Sequence, residues 1–172
     1  PKDIEWHMIG HLQTNKIKYI APFVALIHSA DSERLIRVIN DEAIRNGRVI
    51  DILLEIHVAD EETKSGWTYD ALLKYVKSGA LAAMKGVRVR GVMGIATYTS
   101  NEFRVRLDFE LLQQYKKELE AYFDSSFDTL SMGMSDDYPL ALDYGTTMGT
   151  HRVAHLRQTR LRSRRKRGDG LT

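Results

Sequence analysis

Residues that could bind an anion are concentrated in one short stretch of this chain. From Leu130 to Asp137 the sequence reads L-S-M-G-M-S-D-D, after a short apolar run and before a short helical pattern. A turn at the carboxyl end of a strand exposes backbone N–H groups and hydroxyls, where a phosphate can sit. The hydroxyl of Ser131 and the N–H groups of Met132 and Gly133 are therefore a candidate phosphate site. The alternative is an ordinary turn that caps the following helix.

The elements that must position this turn alternate regularly. Short apolar runs predict strands at 5–9, 23–28, 50–58, 89–95 and 127–130, and amphipathic stretches predict helices at 32–46, 69–84, 106–123 and 140–144. Asp31 and Thr68 are candidate N-caps, and Gly47 and Gly86 are candidate helix stops. This alternation indicates βα units with a parallel sheet, either open and doubly wound or part of a (β/α)8 barrel.

Charge divides the chain into two parts. Eight of the 25 basic and one of the 23 acidic side chains lie in residues 151–172, so residues 1–150 hold 17 basic and 22 acidic groups and carry a net charge of −5. The arginine-rich run from Arg160 to Arg167 would suggest nucleic-acid binding, but it has no interleaved aromatic residues and no recognisable reading module.

Composition excludes several kinds of site. The chain has no cysteine, which excludes disulfides and thiolate metal sites and suits a cytoplasmic protein. No H-E-x-x-H spacing indicates zinc. No apolar run approaches the length of a membrane span and no signal-peptide pattern opens the chain, so we expect no membrane association.

A series of longer motifs accompanies the turn. It comprises W-H-M-I-G-H-L-Q from Trp6 with Asn15-Lys16, I-H-S-A-D-S from Ile27, I-L-L-E-I-H from Ile52 with E-E-T-K-S-G from Glu61, R-G-V-M-G-I-A-T from Arg90, and finally S-M-G-M-S. Several motifs in one order are far more specific than any single motif. The series resembles the pyridoxal phosphate homeostasis family, single-domain relatives of the alanine racemase barrel.

The resemblance implies an α/β fold, a partial (β/α)8 TIM barrel of the alanine racemase type (fold type III), formed by residues 1–148. It starts at the family's third βα unit, so strands three to seven are expected. The first two units are expected to be missing, together with the lysine that holds pyridoxal phosphate as a Schiff base; Lys16 and Lys64 match other family positions. Open strand edges in such a barrel predict marginal stability or aggregation.

The resemblance also assigns roles to the residues of the turn. It implies pyridoxal 5′-phosphate as the cofactor, with the Ser131 hydroxyl donating to the phosphate beside Met132 and Gly133. Barrel sites lie at the carboxyl ends of strands, and His11 follows the first strand. His11 either lines the site or is hydrogen-bonded inside the barrel mouth.

The other polar residues at strand ends have plainer interpretations. We expect His28 and His57 to be packed histidines with satisfied nitrogens. Lys64 is either a secondary contact for the cofactor or a partner, or a solvated loop charge.

The sequence departs from the family after Met148. The family continues roughly V-R-I-G-S/T-x-I-F-G-x-R, whereas this chain continues from Gly149 as G-T-H-R-V-A-H-L-R-Q-T. Removing one base after the Met148 codon would allow these codons to encode the family's ending. Our hypothesis is therefore that residues 149–172 form an out-of-frame, basic and disordered tail.

The function implied is binding and buffering of pyridoxal phosphate without enzymatic turnover. Partners would be the cofactor and pyridoxal-phosphate-dependent apoenzymes, with no nucleic acid and no membrane, and the intact protein is expected to be a monomer. Three alternatives stay open: a nonfunctional gene fragment, a racemase-like enzyme, and nucleic-acid binding through the tail.

Overall fold

Five parallel strands pair in the order in which they occur along the chain. The computed structural model describes residues 3–150. The strands are β1 (Trp6–Met8), β2 (Val24–Ala30), β3 (Ile50–Glu55), β4 (Val87–Met93) and β5 (Thr129–Ser131). They confirm the five predicted strands, with ends that differ by a few residues.

Helices connect these strands. A 3-10 turn at Thr14–Lys16 runs directly into α1 (Ile17–Ile20), and the others are α2 (Glu33–Arg45), α3 (Tyr69–Lys77), α4 (Glu102–Leu119) and α5 (Tyr138–Asp143). Within residues 3–150, no helix combines the length and apolar character needed to cross a membrane.

The start of α2 differs from the prediction. Its N-cap is Ser32, whose hydroxyl oxygen accepts a hydrogen bond from the Leu35 N–H at 3.4 Å. Asp31 instead accepts from the Ser32 hydroxyl at 2.8 Å and so supports the capping residue. Asp31 was the wrong N-cap because the helix begins one residue later than the sequence pattern indicated.

Two further helix boundaries also differ. α3 ends at Lys77, where the Ser78 hydroxyl donates to the Tyr75 carbonyl at 2.6 Å and takes an acceptor of the last turn. Gly86 does not end this helix; its N–H donates to the Asn40 side-chain oxygen at 2.8 Å. α4 begins at Glu102, earlier than predicted, because Asn101 caps it.

Apolar side chains lie on both faces of the sheet. The larger cluster lies between the sheet and the helices, and includes Ile27, Ile52 and Val92 from the strands. The opposite face carries a small cluster of Leu26, Leu53 and Met93, against which Met148 packs. Neighbouring strand residues thus point alternately to the helices and to an inner space, as they do in (β/α) barrels.

A contact across this inner face shows that the sheet curls. Two strands separate β2 from β5, so a flat sheet at ~4.8 Å per strand would hold them about 14 Å apart. Nevertheless, Nδ1 of His28 in β2 lies 3.1 Å from Oγ of Ser131 in β5. The sheet therefore forms part of a barrel, as predicted.

The pairing of β4 with β5 depends on a glycine. Gly91 lies opposite Thr129, has φ +154°, and approaches it so closely that a Cβ would collide with the Thr129 carbonyl oxygen. One step beyond Val92 and Leu130, Met93 pairs with Ser131. The glycine therefore allows β5 to bring Ser131 to the carboxyl end of the sheet.

The loop after β3 is fastened by a tryptophan. The Trp67 backbone N–H donates to the Glu55 carbonyl at 2.8 Å, and its indole N–H donates to the Ala30 carbonyl at 2.9 Å. The indole also stacks on Tyr75 with ring centroids 5.2 Å apart. Trp67 thereby ties this loop to β2 and to α3.

The predicted boundary at residue 148 stays a prediction. Met148 forms a parallel bridge with Ser131, and Gly149 and Thr150 follow it. Residues 151–172, on which the frameshift hypothesis and the basic-tail interpretation depend, lie outside the described residues.

Candidate functional site

The candidate phosphate turn lies where β5 ends. Ser131 is its last strand residue and is 1% exposed. Gly133 has φ +88°, and a Cβ there would lie 2.8 Å from the Ala141 Cβ and 3.0 Å from the Tyr138 Cα. Only glycine combines this backbone conformation with such close packing against α5. The local sequence S-M-G-M thus fits a sharp turn held tightly on the helix that follows.

A small cavity adjoins this turn at the carboxyl end of the sheet. Its volume is about 40 Å³. Residues from three parts of the chain line it: Ile9; Met93, Gly94, Ile95 and Ala96; and Ser131, Met132, Gly133, Met134, Asp137 and Thr150. A cavity of this size holds a few water molecules, so it can admit one end of a ligand such as a phosphate group.

The backbone N–H groups of the turn are not equally available. The Met132 N–H donates to the Met148 carbonyl at 3.1 Å, and the Met134 N–H donates to an Asp137 carboxylate oxygen at 2.6 Å. Within residues 3–150, the Gly133 N–H donates to no acceptor. The Gly133 N–H is therefore the most available backbone donor of the site, and Met132 contributes to the cavity wall. Their cofactor contacts stay predictions.

Two histidines extend inward from the Ser131 hydroxyl. His28 Nδ1 lies 3.1 Å from Ser131 Oγ, and His28 Nε2 lies 3.2 Å from Nδ1 of His7. Burial, and secondarily the charge of His7, lowers the pKa of His28 to about 4. His28 is therefore neutral at neutral pH, with one ring nitrogen that donates and one that accepts. His28 is thus packed with a partner at each ring nitrogen, as predicted, and one of these partners is Ser131, the candidate phosphate-binding residue.

His11 lies apart from the turn. Its Nδ1 lies 3.7 Å from Oδ2 of Asp31, and its side chain is 66% exposed. It is not among the residues that line the cavity at Ser131. The structure therefore does not bring His11 together with the other three predicted site residues, and its contact with a cofactor stays a prediction.

His57 and Lys64 are both held by the loop that follows β3. The two ring nitrogens of His57 lie 2.9 Å from the Lys64 carbonyl and 2.8 Å from the Ala59 carbonyl. The Lys64 ammonium donates to the Ala96 carbonyl at 2.8 Å and pairs with Glu61 at 3.0 Å. Lys64 therefore fastens this loop to the one after β4, rather than being a solvated charge.

Glu55, at the end of β3, is a buried carboxylate that we did not single out from the sequence. One oxygen accepts from the Ser65 hydroxyl at 2.7 Å, and the other has no partner within residues 3–150. Burial raises the pKa of Glu55, and the Ser65 hydrogen bond opposes that rise. The only available signal was a charged residue inside the apolar run I-L-L-E-I.

The described residues contain no cluster of three or more histidine, aspartate or glutamate side chains arranged to hold a metal ion. Donors at the turn are a hydroxyl and backbone N–H groups, which bind anions rather than cations.

Solved structures with the same architecture define the class of this protein. PipY from Synechococcus elongatus, solved with pyridoxal phosphate bound, superposes with a TM-score of 0.77 at 28% identity, over 87% of this chain and 68% of that one. Alanine racemase from Clostridium difficile superposes with a TM-score of 0.62 over 87% of this chain and 38% of its own, and at 9% identity it shows the fold alone. The chain is thus part of an alanine racemase-like barrel.

Curated relatives of this chain share one name. The pyridoxal phosphate homeostasis protein of Aquifex aeolicus is 39% identical over 146 residues, which are 85% of this chain and 63% of that protein. The protein of the same name from Escherichia coli K12 is 33% identical over 147 residues, 84% of this chain and 61% of its own length. No protein-family model matches the chain. The chain is homologous to these two proteins and spans about three fifths of their length.

Proposed function

We propose that this chain binds pyridoxal 5′-phosphate through the phosphate group and serves to store and hand on the cofactor. The observation that carries the proposal is the turn at the end of β5, Ser131 to Met134, in a chain homologous to curated pyridoxal phosphate homeostasis proteins. PipY, which has the same fold, was solved with the cofactor bound.

The residues of the turn fit a phosphate group. In the proposed complex the Ser131 hydroxyl and the Gly133 N–H donate to phosphate oxygens, and the apolar wall of Met93 and Ile95 excludes water from one side. Hydrogen bonds to a charged acceptor are about twice as strong as those between neutral groups. The Asp137 carboxylate also lines the cavity and repels an anion, which limits the affinity we expect.

The binding that these residues support is noncovalent. When bound, the cofactor supplies a reactive aldehyde and an electron-withdrawing pyridine ring. Within residues 3–150 no lysine lines the cavity at Ser131, and the Lys64 ammonium is held by Glu61 and Ala96. The proposal is therefore storage without turnover.

The proposed setting is the cytoplasm, with pyridoxal-phosphate-dependent apoenzymes as the recipients of the cofactor. A monomer is proposed for the intact protein only.

Equilibrium dialysis of the full chain against pyridoxal phosphate, pyridoxal and inorganic phosphate tests the proposal. We expect pyridoxal phosphate and phosphate to bind and pyridoxal to bind far more weakly. Ser131→Ala removes a hydrogen bond to a charged group, and losing about 1.5–3 kcal/mol weakens binding roughly tenfold or more. Ser78→Ala, which removes a hydroxyl at the end of α3, is the matched control. Equal binding of pyridoxal and pyridoxal phosphate would contradict the proposal, as would no binding at all.

A second substitution, tested in the same assay, is expected to raise the affinity for phosphate instead of lowering it. Asp137→Asn keeps an oxygen that can accept from the Met134 N–H but removes the negative charge beside the cavity. We expect phosphate affinity to rise about fivefold, since a unit charge at this range is worth on the order of 1 kcal/mol. Asp136→Asn, at the exposed neighbouring position, is the control. Equal effects of both substitutions would place the anion away from this cavity.

A further inference from the structure

We propose that His7, His28 and Ser131 form a hydrogen-bond relay whose direction is set by an anion at the β5 turn. The two histidines are positioning residues, since they act on the ligand through the Ser131 hydroxyl. This inference rests on the proposed function, because it requires a phosphate at Ser131.

Geometry makes these three side chains one continuous chain. The links are 3.2 Å from His7 to His28 and 3.1 Å from His28 to Ser131, and they join β1, β2 and β5 across the inner face of the sheet. His28, at the centre, is 1% exposed. A buried ring held at both nitrogens cannot turn away to find other partners, so its two hydrogen bonds are coupled.

A neutral His28 allows only two arrangements. In the outward arrangement His7 Nδ1–H donates to His28 Nε2, His28 Nδ1–H donates to Ser131 Oγ, and the Ser131 hydroxyl donates into the cavity. In the inward arrangement the Ser131 hydroxyl donates to His28 Nδ1, and His28 Nε2–H donates to His7 Nδ1. Each group holds one proton in both arrangements, so the change requires no net uptake or release.

An anion distinguishes these arrangements. A phosphate oxygen only accepts hydrogen bonds, so it is stabilised when Ser131 donates and destabilised when Ser131 presents a lone pair. The low pKa of His28, about 4, keeps a proton from occupying both ring nitrogens at neutral pH. His7 is exposed at the far end of the chain, where it can exchange protons with water during the change. Binding at the turn therefore selects the Nδ1–H tautomer of His28.

NMR of the full chain with ¹⁵N-labelled histidine tests this relay directly. Ring-nitrogen shifts report which nitrogen of His28 carries the proton, before and after addition of inorganic phosphate and, separately, pyridoxal phosphate. We expect the proton to move from Nε2 to Nδ1 as the turn becomes occupied. His57, held by two backbone carbonyls, is an internal reference whose pattern should not change.

Variants supply a second readout. Ser131→Ala should leave the His28 tautomer unresponsive to phosphate. His28→Leu should weaken phosphate binding roughly tenfold, whereas His28→Asn should restore much of it because its amide N–H can stand where Nδ1–H does. A role in packing alone predicts the reverse, because leucine fills a buried site better than asparagine.

The outcomes separate the relay from the function on which it rests. If phosphate binds and weakens with Ser131→Ala but the His28 tautomer stays unchanged, the relay is wrong and phosphate binding stands. If neither phosphate nor pyridoxal phosphate binds to the full chain, the proposed function and the relay both fail.

Discussion

His28 shows how burial changes the behaviour of a single side chain. In the unfolded chain its imidazole titrates near 6.5, whereas in the fold burial and His7 lower its pKa to about 4. Between those values the unfolded chain binds a proton that the folded chain does not. The contribution of His28 to the free energy of unfolding is therefore fully present above about pH 6.5 and decreases as the pH falls towards 4.

This difference predicts a pH dependence of the free energy of unfolding. From pH 7 to pH 4 the His28 contribution falls by about 3 kcal/mol, from the pKa difference between the two states. Urea unfolding at both pH values, in wild type and in His28→Asn, measures it. The variant should lose less stability over the same interval. His11→Asn, at a largely exposed histidine, should retain the wild-type slope; if His28→Asn also retains it, the low pKa is wrong.

For single residues, the sequence predicted the place in the fold better than the hydrogen-bond partner. Ser131 and Gly133 lie at a sharp turn at a strand end, as expected, because glycine in S-M-G-M marks a special backbone conformation. That His28 contacts Ser131 could not be predicted, since 103 residues separate them and only the curl of the sheet joins them. The bond from the Met132 N–H to Met148 depends on the same tertiary pairing.

Among the elements, the β4–β5 pair tolerates little change at one position. It is short, and Gly91 lies opposite Thr129 at a distance that excludes any side chain. Since β5 carries Ser131 at its end, a shift of this strand moves the candidate site with it.

Gly91→Ala is therefore expected to impair both stability and the site. The new Cβ meets a backbone carbonyl in a conformation unfavourable for alanine, so β5 must shift, at a cost of about 3 kcal/mol. Thermal unfolding and phosphate binding measure the two effects. Gly10→Ala is the control, because no heavy atom lies within 4 Å of a Cβ there. Wild-type stability in Gly91→Ala would show that the two strands are not so close.

Elements were predictable from the sequence, and their ends were less so. Alternating apolar runs located all five strands because a buried parallel strand needs such a run. Helix ends depended on single hydrogen bonds, such as those from Ser78 and to Asn101, which apolar periodicity does not register.

At the scale of the whole molecule, β1 is an edge strand of the sheet that residues 3–150 form. Within residues 3–150 this strand pairs only with β2, and its Trp6 is 56% exposed. Three apolar residues that neighbour β1 or β2 along the chain are also exposed: Ile4, Ile9 and Phe23. An unpaired strand edge with apolar side chains favours association with other chains.

The chain of 172 residues is accordingly expected to self-associate. Sedimentation velocity should show species that grow with protein concentration, and Trp6→Lys should reduce them by placing a charge on the edge. Tyr98→Lys, at a residue 87% exposed in the loop after β4, should leave association unchanged. A wild-type chain that stays monomeric at every concentration would contradict this expectation.

The two tryptophans of the chain lie in different environments. Trp6 faces solvent on the edge strand, while Trp67 is stacked on Tyr75 and donates its indole proton to Ala30. Iodide should therefore quench Trp6 more strongly than the partly buried Trp67 in the native state, and quenching of Trp67 should rise once the loop after β3 has opened. The molecule thus contains two intrinsic optical probes, one for the edge strand and one for the loop after β3.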